Sequence, residues 1–246
     1  MTSLKDLLQL KCEPVAIYRA DSIPEDAHVG GEHCCIPPLL LMAAKKGRRA
    51  ATDMEHIGCH GSVSGLGFGK INLQKMSWSY STVPKEVMDS HPRQGDGKHE
   101  FCCPEVALAH FSRTKEYEEG GAIVFEPLDR AKERGADIEV VVFLADPVRI
   151  SALSILAGFE RMDGSDPVKI VHGLACQQIY VMPKAEGEKE NPCAILGFTD
   201  LYARRFIGRD EFSFSVPYRL YKQMEMDAPI SFLTTERWKE TLEKCA

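Results

Sequence analysis

The distribution of apolar and polar positions predicts that strands and helices interleave along the chain. The clearest strand is "DIEVVVFLA" at 137–145, because an unbroken apolar run of this length is typical of a strand buried on both faces. Asp146 and Pro147 follow it and predict the start of a helix, since Asp is a favoured N-cap and Pro suits the first turn. Further strands are predicted within 14–20, 70–78, 121–128, 167–183, 193–200 and 211–218, with helical turns among the later ones.

Helical spacing appears in four other segments. Leucines 4, 7, 8 and 10 predict a short amphipathic helix over 3–11, and further helices are predicted at 38–46, at 104–117 and in the terminal segment "TTERWKETLEKCA". Because strands and helices alternate irregularly and some connections are short, the predicted fold class is α+β, with a mixed, largely antiparallel sheet and packed helices. We expect one domain over residues 1–246, and no internal repeat is visible in the sequence.

The segment 58–69, "GCHGSVSGLGFG", is so rich in glycine that it predicts a tight loop whose backbone approaches another group closely. It does not satisfy the phosphate-binding loop pattern, because Ile71 follows Gly69-Lys70 where Ser or Thr is needed. It does not satisfy the dinucleotide fingerprint either, because a lysine stands at position 70 and no strong strand precedes it. Nucleotide binding is therefore disfavoured.

Composition and charge exclude several classes of partner. The net charge of −6 over 246 residues does not suggest a nucleic-acid-binding surface. The longest strongly apolar stretch, "IPPLLLMAA", is far shorter than the roughly 20 residues that a membrane-spanning helix needs. The first residues, "MTSLKDLLQLKCEP", lack the apolar core and cleavage site of a signal peptide, so a cytoplasmic location is expected.

Cysteine is the residue type that carries candidate chemistry. The chain has nine cysteines, and an odd number without an export signal disfavours a disulfide framework. The pairs Cys34/Cys35 and Cys102/Cys103 each stand where a loop meets a predicted helix, a position that stabilises a thiolate. Cys59 lies in the glycine-rich segment and Cys176 follows "HGLA". The other three, Cys12, Cys193 and Cys245, are interpreted as small apolar residues or surface thiols.

The spacing of these cysteines favours one type of metal centre. A structural zinc site normally uses closely spaced cysteine knuckles, which this sequence lacks. Iron–sulfur clusters take thiolates from scattered loops and accept hydrogen bonds from nearby backbone N–H groups. An iron–sulfur cluster is therefore favoured over zinc, and zinc over no metal. A mixed site stays open because several histidines lie near the cysteines, namely His33, His56, His60, His99 and His172.

Catalysis without a metal is an alternative that the residues leave open. A cysteine of low pKa at a helix start, with a histidine nearby, could act as a nucleophile, and both "HEFCCPE" and "GEHCC" have that composition. An acid–base enzyme using Asp200, Arg204 or Arg205 of "FTDLYARRF" is also conceivable. The simpler interpretation of that segment is a solvated turn with ordinary surface ion pairs.

A series of motifs, taken together and in order, resembles the uncharacterised family known as domain of unknown function 169. These motifs are "EPVAIYRA", "AAKKG", "GCHGSVSGLGF", "AIVFEPLDRA", "IEVVVFLADPVRISAL", "HGLACQQI", "LGFTDLYARRF" and "FSFSVPYRLYKQM". The resemblance covers roughly residues 4–240. It implies a protein of a kind common in anaerobic bacteria and archaea. It implies that the family's recurrent cysteines correspond to Cys59, Cys176 and either Cys34 or Cys35. Three thiolates would serve a [4Fe–4S] cluster that has one open iron or a fourth ligand.

The resulting hypothesis is a cytoplasmic protein that binds an iron–sulfur cluster, of the 4Fe-4S type, and acts by redox or Lewis-acid chemistry on a small substrate. The candidate metal ligands are Cys34, Cys35, Cys59, Cys102, Cys103 and Cys176, although the Cys102/Cys103 pair lies outside the family pattern. The alternatives are a non-catalytic accessory or ligand-binding protein with structural zinc or no metal, and a cysteine-dependent enzyme. Expected partners are a small-molecule substrate or an electron-transfer protein, with a possible homo-oligomer and neither nucleic acid nor membrane.

Overall fold

A mixed β-sheet of eight strands runs through the computed structural model, which describes residues 3–30, 36–84, 86–87 and 99–245. The strands are β1 (Val15–Ala20), β2 (His28–Val29), β3 (Ala50–Thr52), β4 (Ala122–Pro127), β5 (Ile138–Ala145), β6 (Val168–Ile170), β7 (Ala194–Gly197) and β8 (Phe212–Pro217). Their order is β2-β3-β4-β1-β5-β8-β7-β6. The outermost pairs are parallel and the five pairs between them antiparallel. The predicted α+β class with a mixed, largely antiparallel sheet is therefore confirmed.

The strand order is the same in both halves of the sheet. The first half runs β1-β4-β3-β2 outward from the centre, and the second runs β5-β8-β7-β6. The two halves meet at the antiparallel pair β1/β5, where Val15 lies opposite Val142 and Ile17 opposite Val140. This arrangement corresponds to an approximate two-fold axis perpendicular to the sheet, which no repeat in the sequence had indicated.

Helices cover both faces of this sheet. They are α1 (Leu4–Leu8), α2 (Ile36–Lys46), α3 (His60–Gly65), α4 (Leu73–Tyr80), α5 (Pro104–Phe111), α6 (Leu128–Glu133), α7 (Pro147–Ala157), α8 (Ala175–Ile179), α9 (Val181–Gly187), α10 (Leu201–Arg204), α11 (Tyr218–Asp227) and α12 (Glu236–Lys244). No helix in the described ranges is long and apolar enough to cross a membrane.

Helices at equivalent places in the two halves pack on the same face. Helix α6 follows β4 and α11 follows β8, and both contribute to the apolar cluster on one face. Helix α2 follows β2 and α8 follows β6, and both contribute to the cluster on the opposite face. A two-fold axis perpendicular to the sheet requires this arrangement, because such a rotation returns each face to itself.

Burial on both faces explains why the central strands read as continuous apolar runs. In β5, Val141 and Phe143 point into the first cluster, whereas Val140 and Val142 point into the second. Each such side chain contributes about 1.5–3 kcal/mol when it is removed from water. A central strand covered by helices on both sides therefore needs apolar residues at every position.

The strand predicted at 70–78 was wrong because tertiary packing decided the structure. The segment 70–78, predicted as a strand, contains α4, whose N-cap Asn72 accepts a hydrogen bond from the Lys75 N–H at 2.8 Å. Met76 and Tyr80 lie one turn apart on α4 and pack against α5, in a third apolar cluster. The period is therefore helical, but in a segment this short it is not distinguishable from a strand by sequence.

The glycine-rich segment and the segment 167–183 also differ from prediction. Residues His60–Gly65, predicted as part of a loop, form helix α3. Of the strand predicted within 167–183, Val168–Ile170 forms β6, and the remainder turns at Gly173 (φ 147°) into α8 and α9. In both places the helix forms against a neighbouring helix, because α3 and α8 pack on each other.

Candidate thiol site

Helix α3 approaches α8 so closely that a side chain could not fit between them. A Cβ atom on Gly65 would lie 2.5 Å from Cβ of Cys176 and 2.7 Å from its carbonyl carbon. Contacts under 3.0 Å are not tolerated by real Cβ atoms. Glycine at this position therefore sets the distance between the two helices and brings the Cys176 backbone against α3.

Two cysteines from distant parts of the chain meet the first turn of α3. Cys59 is the N-cap of this helix, with extended backbone angles (φ −115°, ψ 121°). Cys176, which is 6% exposed, places its Sγ 3.5 Å from Oγ of Ser62. The position of a Cβ on Gly61 would be 3.6 Å from Sγ of Cys59. The first turn of α3 thus lies beside both thiols, and we call Cys59, Gly61, Ser62 and Cys176 together the thiol site.

An acidic side chain fixes the start of the helix that carries Cys176. Asp200 is 6% exposed and accepts hydrogen bonds from the Tyr202 N–H at 2.8 Å and from the Ala175 N–H at 3.5 Å. The first bond caps α10, and the second reaches the residue before Cys176. Asp200 therefore joins the two segments, and the interpretation of "FTDLYARRF" as a solvated turn is wrong for this residue.

Tyr80 lies close enough to the thiol site for the two cysteines to affect the pKa of its hydroxyl. Burial raises the pKa of the Tyr80 hydroxyl far above its ordinary value, and Asp200, Glu100, Cys176 and Cys59 raise it further. The hydroxyl is consequently protonated at all physiological pH values. Tyr80 therefore retains the proton on its Oη near the two cysteines.

Helices α4 and α5 form an apolar cover next to the thiol site. Phe111 of α5 packs edge-to-face on Tyr80, with 5.3 Å between ring centroids. Phe101 stacks on His172 at 4.3 Å, and Leu174 belongs to the same apolar cluster. The cover thus reaches the segment that leads into Cys176, where it buries Leu174 but leaves His172 exposed.

A partly buried ion network holds the loop after α3 to α9. Arg19 donates to the carbonyl oxygens of Leu66 (2.9 Å) and Gly120 (2.7 Å), and its Nε lies 2.8 Å from Oε2 of Glu119. Glu119 also pairs with Lys184 of α9 at 2.7 Å. Lys184 in turn lies 2.6 Å from the carboxylate of Glu139 on β5. The network connects the end of α3, the helix after Cys176 and the central sheet.

The six predicted ligands fall into three groups. Cys59 and Cys176 are brought together at α3, whereas Cys34 and Cys35 lie outside the described residues. Cys103 is the N-cap of α5 and Cys102 beside it is exposed. Across residues 3–30, 36–84, 86–87 and 99–245, no three Cys, His, Asp or Glu side chains are grouped closely enough to hold a metal. The assignment of these six residues therefore stays a prediction.

The three remaining cysteines lie where their interpretation places them, whereas two features of the thiol site were not predicted. Cys12 and Cys193 are buried and Cys245 is exposed, in keeping with their interpretation as apolar residues and a surface thiol. Tyr80 and the close packing at Gly65 were not predicted. The spacing of Gly61 and Gly65, four residues apart, is the signal that could have indicated a helix with one face kept small.

Comparison with known proteins identifies one family. A family model for domain of unknown function 169, described as uncharacterised ArCR, matches residues 3–227. No curated protein and no solved structure matches the chain. The match spans all eight strands and α1 to α11, and it includes both halves of the sheet.

Proposed function

The chain belongs to the family of domain of unknown function 169, and we propose that it binds an iron–sulfur cluster of the 4Fe-4S type at the thiol site. The proposed ligands are Cys59, Cys176 and a thiol of the Cys34/Cys35 pair, with Cys102 and Cys103 as additional ligands. The observation that carries the proposal is the convergence of Cys59 and Cys176 on the first turn of α3. Thiolates from separate segments, held on glycine-rich backbone, are the donors that such clusters use.

The residues around the two thiols fit a group of this kind. Gly61 has no side chain where a Cβ would lie 3.6 Å from Sγ of Cys59 and 3.8 Å from Leu174, so room for about one methyl group is left beside the sulfur. The donors are two soft thiols rather than carboxylates, which suits iron–sulfur and zinc centres and disfavours magnesium or calcium. Two thiols alone do not complete a cluster, so at least one further ligand is required.

The position of Cys34 and Cys35 in the sequence supports their assignment as the further ligands. They directly precede α2, which begins at Ile36. Cys176 lies in the first turn of α8, and α2 and α8 are equivalent helices on the same face of the sheet. In the sequence, the pair thus precedes one of these two equivalent helices, and Cys176 lies at the start of the other.

The proposed role of this site is redox or Lewis-acid chemistry on a small substrate. The proposed location of the protein is the cytoplasm. When bound, an iron–sulfur cluster supplies electron transfer, or an open iron that polarises a substrate. The Tyr80 hydroxyl holds a proton at Oη beside the thiols, since burial keeps its pKa high. Asp200 orients the start of α8 through the Ala175 N–H, and α4 and α5 pack an apolar cluster against Leu174.

The metal content of the purified protein tests this proposal directly. Protein prepared without oxygen is expected to be brown, to absorb near 400 nm, and to contain iron and acid-labile sulfide in comparable amounts. Zinc without iron would favour the alternative of an accessory protein with a structural metal. Colourless protein free of iron would contradict the proposal, and a reactive Cys59 in such protein would favour a cysteine-dependent enzyme.

Single substitutions assign the ligands. We expect Cys59→Ala and Cys176→Ala to lose most of the bound iron, because each removes one of the proposed thiolate ligands. Cys245→Ala is the matched control, since Cys245 is an exposed cysteine at the end of α12. Circular dichroism confirms that each variant is folded. An unchanged iron content in Cys59→Ala would contradict the assignment of this residue.

A further inference from the structure

A cleft of about 550 Å³ lies between the edge strand β6 and helix α9. We call it the β6–α9 cleft. Four apolar side chains line it, and we call them its floor: Val171, Met182, Ala185 and Ile195. Six charged side chains from three segments also line it, and we call them its rim: Arg113, Lys115, Lys169, Glu186, Glu188 and Lys189. Its volume is in the range that holds a small molecule.

The charges on this rim do not balance. Lys169 and Lys189 both contact the same oxygen of Glu186, at 2.8 and 2.5 Å. The other oxygen of Glu186 accepts a hydrogen bond from the Cys193 N–H at 3.2 Å, so both carboxylate oxygens already have partners. Two ammonium groups on one carboxylate leave a positive charge that faces the cleft.

A second uncompensated charge comes from Arg113. Its guanidinium donates to the carbonyl oxygens of His110 (3.1 Å) and His172 (2.7 Å), and these contacts hold the group without neutralising it. Lys115 and Glu188 form a balanced pair at 2.5 Å. The rim therefore carries two positive charges in excess, although the chain as a whole has a net charge of −6.

We propose that the β6–α9 cleft binds a small organic anion, with its charged group between Lys169, Lys189 and Arg113 and its apolar part on the floor. Excess cationic groups around a concave apolar surface attract ligands of this chemistry by charge and retain them by burial of apolar area. A phosphate or carboxylate group satisfies the ammonium donors equally well. This proposal goes beyond metal binding and does not depend on it.

The cleft and the thiol site share one segment of the chain. Val171 lines the cleft, and the carbonyl of His172 accepts from Arg113 on its rim. Thr114, which also lines the cleft, donates from Oγ1 to Oε1 of Gln177 at 3.3 Å, next to Cys176. The cleft is therefore lined by residues that also hold the elements around Cys176, although the proposed binding does not require a metal there.

Calorimetry with phenyl phosphate tests the proposal, because this probe combines a dianionic group with an apolar ring. The full-length protein is expected to bind it in a saturable manner, more tightly than inorganic phosphate and more weakly as salt is added. In amide-resolved NMR spectra, binding should shift the signals of Val171, Ala185 and Ile195. Failure to saturate, or shifts confined to other parts of the chain, would overturn the proposal.

A matched pair of lysine substitutions separates the cleft from general surface charge. Lys189 and Lys239 are both exposed, and each pairs with a glutamate three residues earlier. We expect Lys189→Gln to weaken phenyl phosphate binding about tenfold and Lys239→Gln to leave it unchanged. Equal binding in the two variants would refute the role of the rim. The same titration on Cys59→Ala should match the wild type, so cleft binding is measured independently of metal binding.

Arg113→Gln provides a second test within the cleft. Its guanidinium is held by carbonyl oxygens rather than by a carboxylate, so its removal leaves no carboxylate without a partner. We expect a loss of phenyl phosphate affinity similar to that of Lys189→Gln, with thermal unfolding used to show that the variant is folded. Wild-type affinity in a folded Arg113→Gln protein would contradict the proposed binding mode.

Discussion

At the scale of single residues, three glycines differ in how much room their surroundings leave for a side chain. One of them, Gly65, sets the approach of α3 to α8. A Cβ on Gly65 would overlap Cys176, whereas a Cβ on Gly61 would be in ordinary contact with Cys59 and Leu174. A Cβ on Gly120 would have nothing within 4 Å. A glycine-to-alanine substitution at each of the three positions therefore adds the same methyl group to a different packing environment.

This series predicts separate effects on stability and on metal binding. Gly65→Ala should lower the free energy of unfolding by about 3 kcal/mol, because the backbone atoms of Cys176 would have to move. Gly61→Ala should leave stability unchanged or raise it by up to about 1 kcal/mol, since alanine favours a helix, yet it fills the space beside Cys59 and should reduce iron content. Denaturant unfolding and iron analysis measure the two effects.

Gly120→Ala is the control for the series. It should change neither stability nor iron content, because the added methyl group meets no neighbour. A Gly65→Ala protein as stable as Gly120→Ala would show that α3 and α8 are not in the close contact described above.

At the scale of elements, α3 is too short to be stable alone and is held by what surrounds it. Its six residues include two glycines, and isolated helices of this length do not persist in water. Arg19 secures the loop that follows it by donating to the Leu66 carbonyl, and Phe68 lies under the guanidinium at 5.2 Å. The order of α3 therefore rests on a strand residue distant in sequence.

Substitution of Arg19 is predicted to loosen this loop. Arg19→Gln removes the ion pair with Glu119 and the contact with the Leu66 carbonyl. We expect the amides of Leu66 and Phe68 to exchange with solvent about tenfold faster, which corresponds to about 1.4 kcal/mol of local stability. Hydrogen exchange followed by NMR measures this, with the exposed Arg48→Gln as control. Equal protection in both variants would contradict the role of Arg19.

At the scale of the whole molecule, an ion pair joins the two halves of the sheet. Lys45 of α2, in the first half, lies 2.6 Å from Glu211, which precedes β8 in the second. Burial raises the pKa of the Glu211 carboxyl, but hydrogen bonds from Lys45 and the Gly208 N–H outweigh it and hold the pKa below its ordinary value. The charged carboxylate is therefore the form that the folded protein favours.

The direction of this shift fixes a pH dependence. Because the folded pKa is lowered, the contribution to stability is complete above the unfolded value of about 4.3 and is lost as the pH falls through the folded value. Glu211→Gln should lower the free energy of unfolding at pH 7 by on the order of 1 kcal/mol after solvent screening. It should also lose less stability than the wild type between about pH 5 and pH 3. Glu236→Gln, an exposed control, should follow the wild-type curve.

The sequence indicated central strands well and short helices poorly, for physical reasons that particular residues show. The run at 137–145 predicted β5 because a strand buried on both faces requires apolar residues throughout. The helix α3 was missed because glycine is unfavourable in a helix by propensity, and its stabilisation comes from α8 and Arg19. Helix α4 was missed because one apolar turn does not distinguish the two periodicities.

Residue types and local spacing in the sequence determined the fold class, the central strands, the capped helix after Asp146 and the cysteines that carry candidate chemistry. These depend on side-chain polarity and on contacts within a few residues. The convergence of Cys59 with Cys176, the burial of Asp200, the cationic rim of the β6–α9 cleft and the two-fold order of the sheet were decided by the tertiary structure. Each depends on which distant segments meet, and that is set by packing over the whole core rather than by any local pattern.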